Sequence, residues 1–317
     1  MKKFEKILAK LRTLAAEPFM METALEPSEM VGESPDQTVD TTSVVNLGRV
    51  ICTGTINGQN YSITEQDIIE ATMCGEAAEC GPEERMRVLA IAYNRARAKP
   101  QTVSRGQFQF SGLIAALVAE SQFSCWNNNE YNSKGLQPNA FLNCNNLKER
   151  VDYLKGLCSA GSALPSIGEA ETRQKLVELG FDGPTDSGAA GYEKHRDPRY
   201  VFHYSTPSVF KSQGNACLRG LDLSPGKKYE ISFSEYDPLL GPGDKPMLFG
   251  NGQQKCKKRS YKSIVATDAC HSFASDLDKP YRENSKSTTV PCPPGRGLRR
   301  VCDTAIIIAP PPQNPQP

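Results

Sequence analysis

The 317-residue chain predicts an α+β fold: a helix-rich body with a small β-hairpin, followed by a β-rich C-terminal region. Three observations lead there. Two short runs flank Asn57-Gly58, the dipeptide suited to the positive φ values of a two-residue hairpin turn. Capped stretches with helical apolar spacing follow between residues 64 and 179. Beyond Cys217, glycine, proline and lysine rise and strand-like runs replace the helical ones.

Taken in order, Phe4, Ile7, Leu8, Leu11, Leu14 and Ala15 fall on one face of an N-terminal amphipathic helix. Such a face docks on its own protein, on a partner or on a membrane surface. Residues 17–45 collect seven acids, no Lys or Arg, and Pro18, Pro27 and Pro35, which is linker composition, so residues 1–45 stand apart. The hairpin spans Val50–Ile56 and Gln59–Ile63, and Thr64 caps a helix with Asp67 three residues on. That helix runs from Glu65 to about Glu79 and stops at Gly81-Pro82. The next begins with Pro82, Glu83 and Glu84, which suit a helix N-terminus. Its interior from Met86 to Tyr93 is apolar on most sides, as in a central buried helix. Three further helices fall near 112–121, 145–159 and 169–179, completing a domain over 46–220. Residues 221–317 form a separate β-rich appendage, with strands at Tyr229–Phe233, Ser263–Ala266 and Thr304–Ile308 and a Pro-rich tail.

A formal net charge of +1 gives no sign of a nucleic-acid partner. No apolar run approaches the roughly 20 residues of a membrane span. The basic start lacks the uninterrupted apolar stretch of a signal peptide, because Glu5, Lys6, Lys10 and Arg12 break it. Lys255, Lys257, Lys258, Arg259 and Lys262 surround Tyr261 in the densest basic patch, either a solvated loop or a contact for an anionic polymer. The eleven cysteines are odd in number and contain no C-x-x-C, which argues against zinc ribbons and thioredoxin chemistry. The spacings Cys256 to Cys270 and Cys292 to Cys302 leave C-terminal disulfides open.

The stretch "MCGEAAECG", residues 73–81, sets Glu76 between Cys74 and Cys80. Six residues turn a helix through about 600°, so these cysteines project from different faces and share no metal while the helix persists. They read as small packing residues. Glu76 sits beside Ile68, Ile69, Ala71, Met73 and Ala77, where desolvation would favour a protonated carboxyl, although most helical glutamates are simply solvated.

Three further stretches carry a resemblance: "GEAAECGPEERMRVLAIAYNRAR", "QFSCWNNN" and "VFHYST". Gly75, Glu76, Ala77, Asn94, Arg95, Gln122, Phe123, Ser124, Cys125, Trp126, Asn127, His203 and Tyr204 occur in the order of the SleB-type cell-wall hydrolases. Those proteins act in spore-cortex lysis and in many phages. The resemblance covers about residues 64–212. The sequence departs from the family pattern at Ala78, where the family has arginine, and at Ser205, where it has a second histidine.

The resemblance implies a lysozyme/transglycosylase-like fold and a lytic transglycosylase of peptidoglycan, with Glu76 as the catalytic acid. It implies substrate contacts at Glu79, Asn94, Phe123, Trp126, Asn127, Tyr131, His203 and Tyr204. Trp126 reads either as a sugar platform or as a core tryptophan. Asn94 and His203 divide between a site role and a structural one, and Glu79 between tuning Glu76 and a solvated charge. No metal and no cofactor is expected. Partners would be glycan strands and, through 1–45 and 221–317, other components of a virus particle or assembly. The setting would be a particle, or the host cytoplasm before release to the wall. Two rivals remain. A zinc amidase would need a ligand set such as His195, His203 and Cys217. A non-enzymatic wall-binding component would use the same fold without chemistry.

Overall fold

The computed structural model describes residues 48–98, 102–120, 122–127, 136, 139–158, 164–186, 188–207, 217–268, 270–275, 288–294 and 299–308. The N-terminal amphipathic helix, the acidic linker, Tyr131 and the Pro-rich tail lie outside them. Strand β1 (Val50–Ile56) pairs antiparallel with β2 (Gln59–Thr64) across Asn57 and Gly58, both at positive φ, the geometry of the expected turn. Thr64 then caps α1 (Glu65–Ala77) with a reciprocal capping box to Asp67. Helix α1 ends two residues sooner than its pattern suggested, so Glu79 and Cys80 lie in the turn beyond it.

Helix α2 (Pro82–Ala98) is buried on nearly every side, with Val88, Leu89, Ala90, Ile91 and Ala92 essentially inaccessible. A short hairpin, β3 (Thr102–Arg105) and β4 (Phe108–Ser111), was not foreseen. Its turn needs Gly106 at φ 56°, because a Cβ there would meet the Phe141 carbonyl oxygen at 1.8 Å. Helices α3 (Gly112–Val118), α4 (Cys144–Gly156) and α5 (Glu169–Glu178) complete five helices among the described residues. None of these is long and apolar enough to cross a membrane.

Strand β5 (Val201–Ser205) opens an antiparallel sheet with β6 (Lys228–Pro238), β7 (Lys255–Thr267), β8 (Ser272–Ser275), β9 (Thr288–Pro291) and β10 (Arg299–Ile307). The order is β10-β6-β7-β8-β5, with β9 also on β7. This sheet overturns the expected boundary at 220. Strand β5 pairs with β8 across it, and Ile264, Ala266 and Phe273 share a core with Val88 and Ile91. Val44–Pro317 is one compact unit. A smaller cluster of Leu218, Leu223, Tyr229, Ile231, Phe233, Tyr261 and Val265 forms a second core. The physical reason is the pleat: alternate side chains point to opposite faces, so both faces of the sheet demand cover. The basic patch lies on β7, a strand rather than a loop, and Lys258 rests over the Tyr236 ring.

Ten cysteines are paired: Cys52–Cys144, Cys74–Cys158, Cys80–Cys270, Cys217–Cys302 and Cys256–Cys292. The reading of Cys74 and Cys80 as packing residues is therefore corrected, as are the C-terminal spacings. Partners lie up to 190 residues apart because the fold, not sequence proximity, brings the sulfurs together. Cys80–Cys270 ties the turn after α1 to the approach of β8, across the expected domain boundary.

Candidate functional site

Glu76 occupies the last turn of α1 and is half-buried. The residue before it decides what can approach. A Cβ on Gly75 would meet Cys125 Cβ at 2.5 Å and Leu154 Cδ2 at 2.9 Å, so only glycine lets the 124–126 turn lie against the helix. That 3₁₀ turn, Ser124–Trp126, delivers two donors to Glu76 Oε1: the Cys125 amide at 2.9 Å and the Ser124 hydroxyl at 3.2 Å. From β5, the Tyr204 hydroxyl donates to Oε2 at 2.8 Å. The Cys125 thiol hydrogen-bonds the same carboxyl. Residues 48 to 128 positions apart thus converge on one side chain.

Buried groups fix the turn from behind. Arg150, only 1% exposed, donates to the Cys125 carbonyl, and Arg105 to the carbonyls of Val118 and Trp126. The Trp126 indole N–H reaches Thr72 Oγ1 at 2.9 Å, one helical turn before Glu76. At the end of α2, the Arg95 guanidinium donates to the carbonyls of Phe202 and Gln122 and lies over the rings of Phe123 and Tyr204, which stack on each other. Tyr204 also meets the His271 ring edge-on at 5.3 Å, and His271 Nδ1 lies 2.8 Å from Glu84 Oε1. Glu84 accepts from Arg87, which also pairs with Asp268.

Burial, reinforced by Glu76, pushes both the Tyr204 phenol and the Cys125 thiol well above their ordinary pKa values. Both therefore keep their protons near neutral pH and serve as donors rather than nucleophiles. Burial lowers Arg95 while Tyr204 and Glu76 oppose it, and the guanidinium remains a cation beside the carboxyl.

The structure brings Tyr204 onto Glu76 and stacks Phe123 on Tyr204, while several expected substrate contacts are corrected. Trp126 is 0% exposed and packs on Phe141, so it offers no face to a sugar. Its indole is a buried brace, held between Thr72 of α1 and the Phe141 ring. Phe123 is likewise buried, filling the space beside Tyr204 and Arg95. Asn94 is 1% exposed, and its amide donates to the carbonyls of Pro198 and Val201, clamping α2 to the start of β5. Glu79 is exposed beyond the helix end, off the face it was expected to share with Glu76. Asn127 closes the 3₁₀ turn through its backbone N–H to Ser124. His203 neighbours Tyr204 on β5, and strand alternation sends it to the opposite face. The zinc set of His195, His203 and Cys217 does not form, because the Cys217 sulfur is bonded to Cys302.

The contributions of Arg105, Arg150 and His271 were invisible in the sequence, since an arginine or histidine bound for the interior carries no local mark. Ser124 and Cys125 did stand in the matched motif. A cavity of about 170 Å³ between β1 and β4 and an open groove of about 560 Å³ along β1 and β2 do not include Glu76. The chemistry at Glu76, rather than cavity size, marks the candidate site. No protein-family model matches the chain, and no curated protein and no solved structure matches it either.

Proposed function

We propose that the protein cleaves the glycan strand of bacterial peptidoglycan as a lytic transglycosylase, with Glu76 as its single acid–base group. The observation that carries this reading is the convergence on Glu76 of the Ser124–Cys125 turn and Tyr204, two separate parts of the matched motif order. The lysozyme/transglycosylase-like character of the helical body belongs to the same proposal.

In the reaction, the protonated Glu76 carboxyl gives its proton to the glycosidic oxygen as the bond from C1 breaks. The resulting carboxylate then takes the proton of the muramyl 6-hydroxyl, which attacks C1 and closes a 1,6-anhydro ring. No water is consumed, and no second carboxylate is needed, unlike the paired acids of ordinary glycosidases. Ser124 and Tyr204 hold the carboxyl in one orientation through both halves, because each hydroxyl can donate or accept. The five disulfides suit an oxidising setting, such as a protein that meets the cell wall outside the reducing cytosol.

A second reading treats Glu76 as a structural pin, and the number of its donors favours it. One experiment separates the two. Purified peptidoglycan is digested and its products are weighed by mass spectrometry, with protein stability followed in parallel. The catalytic reading expects 1,6-anhydromuramyl ends and, in Glu76→Gln, a loss of cleavage of roughly 10²–10⁴-fold with the fold retained. Free stem peptides would show an amidase, and reducing muramic ends a water-using hydrolase. No cleavage by the parent protein, with a large drop in stability in Glu76→Gln, would establish the pin.

A further inference from the structure

We infer that Glu193, His195 and Glu230 form a binding site for a divalent cation of the zinc type. His195 lies in a 3₁₀ turn, Lys194–Arg196, and is 3% exposed. Its Nε2 points between two carboxylates from different elements: 3.3 Å from Oε2 of Glu230 on β6 and 3.8 Å from Oε2 of Glu193 in the loop. One ligand atom from each of the three residues lies within 4.8 Å of the other two. Ligands about 2.0–2.2 Å from a zinc ion stand roughly 3–4 Å apart, and both carboxylate separations from His195 fall in that range. One imidazole and two carboxylates also form a borderline donor set that suits zinc better than calcium or magnesium.

The charge balance agrees. Two carboxylates and a neutral imidazole leave two negative charges, and Lys262 offsets one through the other oxygen of Glu230, at 3.5 Å. A bound ion would occupy Nε2 and leave the ring proton on Nδ1. Glu193 is 43% exposed and gives the ion a way in, while three protein ligands leave a position for water. This site stands whether or not Glu76 is catalytic.

The test is calorimetric titration of zinc chloride into the full-length, chelator-treated protein, with cobalt(II) absorption as a second readout. The expected result is one saturable equivalent at micromolar affinity or tighter. Glu193→Gln and Glu230→Gln should each weaken it at least tenfold, and Glu76→Gln should leave it unchanged. Glu193 is largely at the surface, so its variant tests the site without endangering the fold. Absence of saturable zinc binding, or parental affinity in both glutamine variants, would overturn the inference.

Discussion

The Tyr204 hydroxyl donates to Glu76 Oε2 at 2.8 Å across 128 residues of chain. Helix α1 supplies the carboxyl and the sheet supplies the donor, so the candidate site exists only where the helical layer meets β5. Tyr204→Phe removes the donor but keeps the ring against Phe123 and Arg95. A hydrogen bond to a charged group is worth about 1.5–3 kcal/mol. Peptidoglycan cleavage by the variant should therefore fall at least tenfold in turnover, with a melting temperature within a few degrees of the parent. Parental turnover would remove Tyr204 from the site.

Gly75 sets how closely the 124–126 turn approaches α1. In Gly75→Ala the new methyl would enter the space of Cys125 Cβ and Leu154, so the turn must shift. Overpacking of this kind costs about 1–3 kcal/mol. Denaturant unfolding should show that loss, and cleavage should fall further than stability alone explains because the Cys125 amide leaves Glu76. A variant as stable and active as the parent would show that the turn tolerates the displacement.

The Cys74–Cys158 bond closes a loop of 84 residues beside Glu76. In the chain-entropy account such a loop contributes roughly 4–5 kcal/mol. The paired variant Cys74→Ala/Cys158→Ala should lower the unfolding midpoint accordingly. Mass spectrometry of the unreduced parent should show ten hydrogens fewer than after reduction, from the five bonds. A parent that loses none on oxidation would refute the pairing.

Asp67 provides a pH-dependent contact in the capping box. Burial would raise its carboxyl, but hydrogen bonds from Thr64 and the Lys155 ammonium outweigh that and hold it below the ordinary aspartate range. Its contribution is therefore complete above the unfolded-state pKa, about 3.9, and disappears as pH falls through the lower folded value. Asp67→Asn should destabilise at pH 7 by about 0.5–2 kcal/mol, and the deficit should shrink near pH 3. A deficit equal at both pH values would assign the loss to shape rather than charge.

Much of the first half of the fold was legible because its causes are local. Asn57-Gly58 meets the φ demands of its turn, Thr64 and Asp67 satisfy each other within three residues, and the apolar run from Met86 to Tyr93 leaves no face for water. The same closeness in sequence placed Glu76 at the end of an apolar helix. The order of the matched segments pointed to Trp126 and His203 beside it, whereas the side chain that reaches the carboxyl from β5 is Tyr204. Tertiary structure alone decided the rest. Strand β5 joins a sheet whose other strands lie beyond residue 227, so one body formed where composition suggested two. Trp126 became a brace, and Cys74 and Cys80 found separate partners at Cys158 and Cys270. Sheet pairing, burial depth and sulfur proximity depend on contacts between distant residues, whereas turn chemistry, caps and periodicity act within a few positions of the chain.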